Sequence, residues 1–362
     1  MKDESRQDKR SDSSFLLLPS SFILQEVILM AANPDKLKNV KDISRPDILF
    51  HIARVPQTSK LYYGSSDFKV YEIDVSQAKV EAKALGAHES YVTSVALAGK
   101  TLISGGYDGR LIWWDTEKYS QVRAVEAHAK WIRNVVATRD GKVVASVADD
   151  MVCRLWDAAT GKMIRELRGH QEKTPHHFPS MLYALALSAD NKLLATGDKV
   201  GHVVIWELAT GKQVTTLEAP VMYTWDPTQR RHSIGGIRSL AFSPDGKTLA
   251  VGGMGKVGNI DHLEGKARVE VFDWQKGERT HEFPGDRFAG LVNHLEFHPQ
   301  GDWLLGAGGA GDGFLMFFNL KEKKVVRQEK VAMHIHHALL NETADTLYVA
   351  GHHRMVIFEM KG

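Results

Sequence analysis

The chain has 362 residues, 43% hydrophobic and 25% charged, a balance that suits a folded protein with a large core and excludes collagen-like and disordered classes. Its formal charge of +2 is spread through the chain with no basic tail or stripe, so no nucleic-acid partner is expected. A single cysteine, Cys153, excludes an internal disulfide, a thiolate zinc site and a C-x-x-C-H haem attachment, and it fits a reducing cytoplasm.

The stretch Met1 to Asp12 carries four basic and four acidic residues. The apolar run that follows, from Phe15 to Met30, is broken by Pro19 and Glu26. It therefore reads as neither a signal peptide nor a membrane span, and no membrane association is expected. Residues 1–36 read as an N-terminal extension, poorly ordered, with Met30 an alternative start. From residue 37 to 362 the pattern is uniform: short apolar strands with period-two alternation, separated by polar turns.

Seven copies of one phrase recur in this region. Each has an apolar strand, small residues, an acidic turn, and a strand ending in an aromatic and a polar or acidic residue. The closing positions are Asp74, Asp115, Asp157, Glu207, Asp273, Asn319 and Glu359, spaced by 40 to 66 residues. The short intervals suit one four-stranded unit each, and the long ones require insertions. Turns such as Asp140-Gly141, Asp190-Asn191 and Asp245-Gly246 supply the backbone freedom that tight hairpins need.

His88, Ser104, Asp108 and Trp114 recur at nearly the same offsets as His128, Ser146, Asp150 and Trp156. In these residues the chain resembles the WD40 repeat family, from about Arg45 onward. His170, Thr196 and Trp206 make a partial third set, with Val200 at the aspartate position; Ile73 and Phe318 replace tryptophan in the first and sixth repeats. The resemblance implies an all-β fold, a seven-bladed β-propeller of four-stranded antiparallel blades, a monomeric ring closed by an N-terminal strand. Leu37 to Ile43 is the expected closing strand and Phe22 to Leu29 the fallback. It further implies that these sets are structural tetrads which satisfy polar groups between blades. A histidine, hydroxyl and aspartate repeated twice suit packing; a catalytic triad occurs once.

The glycine patterns at Gly253-x-Gly255-x-x-Gly258 and Gly306-x-Gly308-x-x-Gly311 precede strands and open no helix, so no dinucleotide or other cofactor is expected. The histidine groups at His334, His336 and His337, at His352 and His353, and at His176 and His177 are metal-ligand candidates by residue type, with His334 and His336 on one side of a strand. No acid stands at matching spacing, and no metal site is assigned. The expected function is a non-catalytic interaction scaffold that binds a protein partner; a propeller enzyme or metal-binding propeller using the central channel or these histidines is the alternative.

Insertions in a repeat protein mark added function. Gln171 to Ser180, Ala219 to Gly236 and Met254 to Lys266 lengthen connections that the resemblance places on one face, the top, over blades four and five. The expected partner-binding residues are Tyr223, Trp225, Arg230, Arg231, His176, His177, His232 and His262, with Trp131 extending the surface toward blade three. The competing reading is that these loops pack on one another and cover a blade edge. A chain begun at Met30 should unfold as cooperatively as the full chain in urea; loss of that cooperativity would move the closing strand to Phe22 to Leu29.

Overall fold

The computed structural model describes residues 32–228 and 231–361. The described chain is almost wholly strand and turn, and every pair of neighbouring strands is antiparallel. Five four-stranded sheets follow one another along the chain, at 92–126, 132–167, 182–218, 239–283 and 291–331. They are blades two to six. The first and seventh repeats do not form separate blades. Ile335–Leu340, Thr346–Glu359, Lys38–Arg54, Lys60–Ser65, Lys69–Asp74 and Ala82–Ala87 make one six-stranded sheet in that order.

Counted as hydrogen-bonded sheets, the propeller therefore has six blades, and the expectation of seven is corrected. The cause lies in two long strands. Lys38–Arg54 pairs along its first part with Thr346–Glu359, from Lys38 opposite Glu359 to Ile48 opposite His352. Its last part pairs with Lys60–Ser65, from Leu49 opposite Ser65 to Arg54 opposite Leu61. The change of partner falls beside Pro46, which has no N–H to give to a ladder; its carbonyl accepts from His353 Nδ1 at 2.9 Å. One chain segment thus belongs to both ends of the propeller. Just before it, Pro34–Lys36 forms a single 3-10 turn, Asn33 N donates to Met360 O at 3.0 Å, and Ala32 and Leu37 are buried. Residues 1–31 lie outside the described residues.

Apolar clusters bridge neighbouring sheets. Tyr62 and Val70 of the six-stranded sheet pack with Val92, Leu102 and Trp114 of blade two, and Ile103 and Trp113 of blade two pack with Ile132 and Trp156 of blade three. Because inner strands are covered on both faces, Thr101–Gly106 and Val143–Ala148 are buried almost end to end, whereas the outer strand Gln213–Glu218 is mostly exposed. Gly141, Asn191 and Gly246 take positive φ in the hairpins where the sequence asks for it.

Polar groups enclosed by this packing are joined in chains. Trp114 Nε1 donates to Ser104 Oγ at 2.7 Å, that hydroxyl lies 2.7 Å from His88 Nε2, and His88 Nδ1 lies 2.9 Å from Asp108. Trp156, Ser146, His128 and Asp150 repeat this at 2.9, 2.7 and 3.1 Å. The third set is complete in space. Asp198, two residues before Val200, accepts from His170 Nδ1 at 2.8 Å, while Thr196 receives Trp206 Nε1 at 3.0 Å. In blade five a buried ion pair stands instead, Arg268 Nε to Glu270 at 2.6 Å.

Replacing Trp114 or Trp156 by alanine removes a buried aromatic and leaves the hydroxyl of Ser104 or Ser146 without its indole donor. Each change should cost about 3–5 kcal/mol. Chemical denaturation should show a lower midpoint at unchanged slope; equal midpoints for wild type and both variants would contradict this packing role.

Candidate functional site

The three insertions meet. Within the first, Thr174 N donates to Phe178 O at 2.8 Å and Lys173 bridges to Pro179. The second is a hairpin of Tyr223–Asp226 and His232–Gly235. The third is tied to it by Val257 N donating to Thr224 Oγ1 at 3.1 Å. His176 of the first stacks on Trp225 of the second with ring centroids 3.6 Å apart, and its Nδ1 lies 3.2 Å from the Tyr223 hydroxyl. Buried Met222, Met254, Val257 and Ile260 root these loops in the fold. Trp225 stays 39% exposed, His177, Arg231 and His262 are exposed, and His232 is half-buried. Arg230 lies outside the described residues.

Trp131 is 49% exposed and stacks on Tyr107 at 4.3 Å, the two planes 7° apart. Both line a cavity of about 470 Å³ with Pro179, Ser180 and Met181 at the end of the first insertion. Trp131 is thereby continuous with the insertion patch. Tyr91 and Phe68 extend the aromatic surface the other way, with centroids 5.8 Å from Tyr107 to Tyr91 and 5.6 Å from Tyr91 to Phe68. Phe68 holds φ at 74° while remaining 40% exposed, at the turn position that Gly109 fills in the next repeat. A bulky side chain in that region is strained, a feature that concentrates at functional surfaces.

Sequence reasoning missed a second feature beside this rim. In or just before each inner strand a buried aliphatic residue is followed by one that lines a common cavity of about 500 Å³: Phe50, Thr93, Arg133, Tyr183, Arg238, Asn293 and His336. Six of these positions are skipped in the strand pairing, as at Phe50 between Leu49 and His51 and at Tyr183 between Leu182 and Ala184. Such a bulge re-aims a side chain. The signal was available as the residue after the first aliphatic of each repeat, but these residues differ in type and so escape a search for repeated letters.

Four segments of the chain, residues 80–115, 119–157, 225–257 and 277–319, match the family model of the WD domain, G-beta repeat. The chain carries WD40 repeats. It is 25% identical over 261 residues to telomerase protein component 1 of Mus musculus, covering 72% of this chain and 9% of that protein. It is 24% identical over 201 residues to nuclear distribution protein nudF of Aspergillus niger, covering 51% and 42%. It is 24% identical over 229 residues to WD repeat-containing protein VIP3 of Arabidopsis thaliana, covering 61% and 65%. The chain spans less than two thirds of the length of each of these relatives.

The WD40 cavity is polar and basic. Its lining includes Arg133, Arg238, His51, His334, His336, His337 and His352, and no aspartate or glutamate. Arg133 is held by Asp149 through two bonds of 2.8 and 2.7 Å and donates to the Tyr107 hydroxyl at 2.6 Å. Arg238 lies over the Tyr183 ring at 3.7 Å. Among the described residues no carboxylate reaches Arg238, and its Nε is buried without a partner. The rings of His334, His336 and His352 are mutually 4.7 to 5.0 Å apart. His334 is engaged at both nitrogens, by Ala310 O at 2.5 Å and Asn293 Nδ2 at 3.1 Å. Among the described residues no three His, Cys, Asp or Glu are arranged to hold a metal ion. Cys153 is buried, which raises its thiol pKa and suits no nucleophile. Among the described residues no helix is long and apolar enough to cross a membrane.

Burial, aided by neighbouring histidines, pushes His51 down to about 3 and His336 and His337 well below the ordinary 6.5. These groups stay neutral in the folded protein while the unfolded chain takes up protons below pH 6.5, so the unfolded state binds more protons and stability falls as pH falls. For His51 the loss runs from about pH 6.5 down to about 3, near 1.4 kcal/mol per pH unit. The urea midpoint should therefore drop between about pH 7 and about pH 4.5, and His51→Phe should reduce that drop. A midpoint independent of pH across this window would show that these histidines are not held neutral.

Proposed function

We propose that this WD40 protein is a cytoplasmic, non-catalytic scaffold that binds a protein partner through the face formed by its insertions over blades four and five. The observation that carries the reading is the exposed aromatic surface of Trp225, built on insertions that bond to one another and are rooted by buried methionines, and continued by exposed Trp131 beside the first insertion. Large aromatics with a polar handle are the residues on which interfaces concentrate their energy. His176 stacked on Trp225 pre-orders that ring and lowers the entropy lost on docking. Among the described residues no set of nucleophile, base and electrophile competes with this reading, since the His, hydroxyl and Asp groups found together are enclosed between blades and occur three times over, with Ser104, Ser146 and Thr196 as the hydroxyls.

The test is affinity capture with a Tyr223→Ser, Trp225→Ser, Arg230→Ser and Arg231→Ser variant. Its control carries changes at Asp190, Asn191 and Lys192, in a hairpin turn between the first two strands of blade four. Truncation of an anchor typically costs at least about 2 kcal/mol, roughly thirtyfold in affinity, so partners should be lost from the first variant and kept by the control. Thermal unfolding of both should match wild type. Partners kept by the first and lost from the control would place the interface on the opposite face, and an unfolded first variant would make these aromatics structural cover.

A further inference from the structure

We propose that the cavity ringed by the seven strand-start residues is an anion pocket that receives an acidic side chain from an extended segment of the protein partner. The inference deepens the scaffold reading and rests on it.

The charge at the cavity is one-sided. Arg133 is neutralised by Asp149, but Arg238, whose Nη2 donates to Gly235 O at 3.2 Å, has no carboxylate partner among the described residues, and Lys199 beside it donates to the Pro179 carbonyl at 3.4 Å. Lys199 is 8% exposed, and burial followed by the Arg238 charge lowers its pKa. Two cations thus share one partly enclosed place, and the carboxylate near them, Asp149, is already bonded twice by Arg133. A buried charge without a partner is unfavourable, and a bound carboxylate relieves it.

A neutral donor completes the pocket. His336 Nε2 is buried, unpartnered and at the cavity wall, while Asn293 Nδ2 spends its two N–H groups on His334 Nε2 at 3.1 Å and Ile335 O at 2.8 Å and so fixes the wall beside it. With its proton on Nε2, His336 donates to a carboxylate from one side while Arg238 does so from another. The volume of about 500 Å³ suits a few side chains and not a folded domain. The flanking rim of Tyr107 and Trp131 gives the rest of such a segment an apolar track. A nucleic-acid strand is disfavoured because the basic groups converge on one point and form no stripe that follows a phosphate backbone.

The experiment measures binding of a fluorescein-labelled oligoglutamate peptide to the full chain by polarisation, with oligolysine, inorganic phosphate and oligothymidylate alongside. Oligoglutamate should bind more weakly as salt rises from about 50 to about 300 mM. Arg238→Gln should weaken it about tenfold or more, and Arg238→Lys should restore part of the loss. His336→Phe should also weaken it, which guards against instability peculiar to Arg238. The proposal is overturned by no binding at about 1 mM peptide, or by equal binding to wild type and both loss variants. It is likewise overturned if oligothymidylate binds more tightly with the same Arg238 dependence, or if inorganic phosphate displaces the peptide at equal concentration. Natural partners lost from the insertion variant but retained by Arg238→Gln would leave the scaffold reading standing and remove this inference alone.

Discussion

Ring closure through one shared strand is the constraint on which the rest of the structure depends. A circular array of sheets gains from its last interface only if the chain ends are tied, since an untied end leaves an open edge of unpaired N–H and C=O groups. Lys38–Arg54 ties them by bonding to Thr346–Glu359 on one side and Lys60–Ser65 on the other. The tie costs regularity. Pairing lapses between Ser44 and Ile48, around Pro46, and on the facing strand His353 takes φ of 58°. Both irregularities are local, and His353 bonded to the Pro46 carbonyl bridges them.

With the ring closed, blade-to-blade packing decides where polar groups can go. The apolar clusters fill the sheet faces, and the connections at one end are left half enclosed. The three hydrogen-bonded sets of blades two, three and four answer that demand with a single hydroxyl that both accepts from tryptophan and meets histidine. Blade five answers with Arg268 and Glu270 buried together, a pair that is weak as a source of stability but costly to break singly. The same physical requirement is met by unlike residues, which is why the repeat fades in the letters before it fades in the fold.

That difference explains what was legible in the sequence. Strand identity, hairpin turns and the paired residues of blades two and three follow from period-two alternation and from offsets that a linear reading can count. The blade count did not, because a linear reading sees where repeats begin and not that Lys38–Arg54 serves two neighbours at once. Asp198 was hidden for a related reason: the acid moved two positions along the chain while its carboxylate kept its place beside His170. The insertions were visible as excess length, whereas the cavity-facing residues Phe50, Thr93, Arg133, Tyr183, Arg238, Asn293 and His336 share a backbone position and no chemistry.

The same bulge that hides those residues from a sequence search makes them free to vary. A residue skipped by the strand pairing contributes little to the ladder on either side, so its side chain is constrained only by the space at the mouth. Six such positions, with Arg238 just ahead of its strand, give the fold a place where chemistry changes without disturbing the blades. Several local departures from ideal structure lie at this end. Phe68 is strained and exposed, Arg238 lacks a carboxylate, and His51, His336 and His337 each bury a nitrogen without a partner. Elsewhere comparable histidines, His88, His128 and His170, are bonded at both nitrogens. Unmet hydrogen-bonding capacity beside well-satisfied structure is what a binding surface requires, because groups already content with one another have little to gain from a ligand.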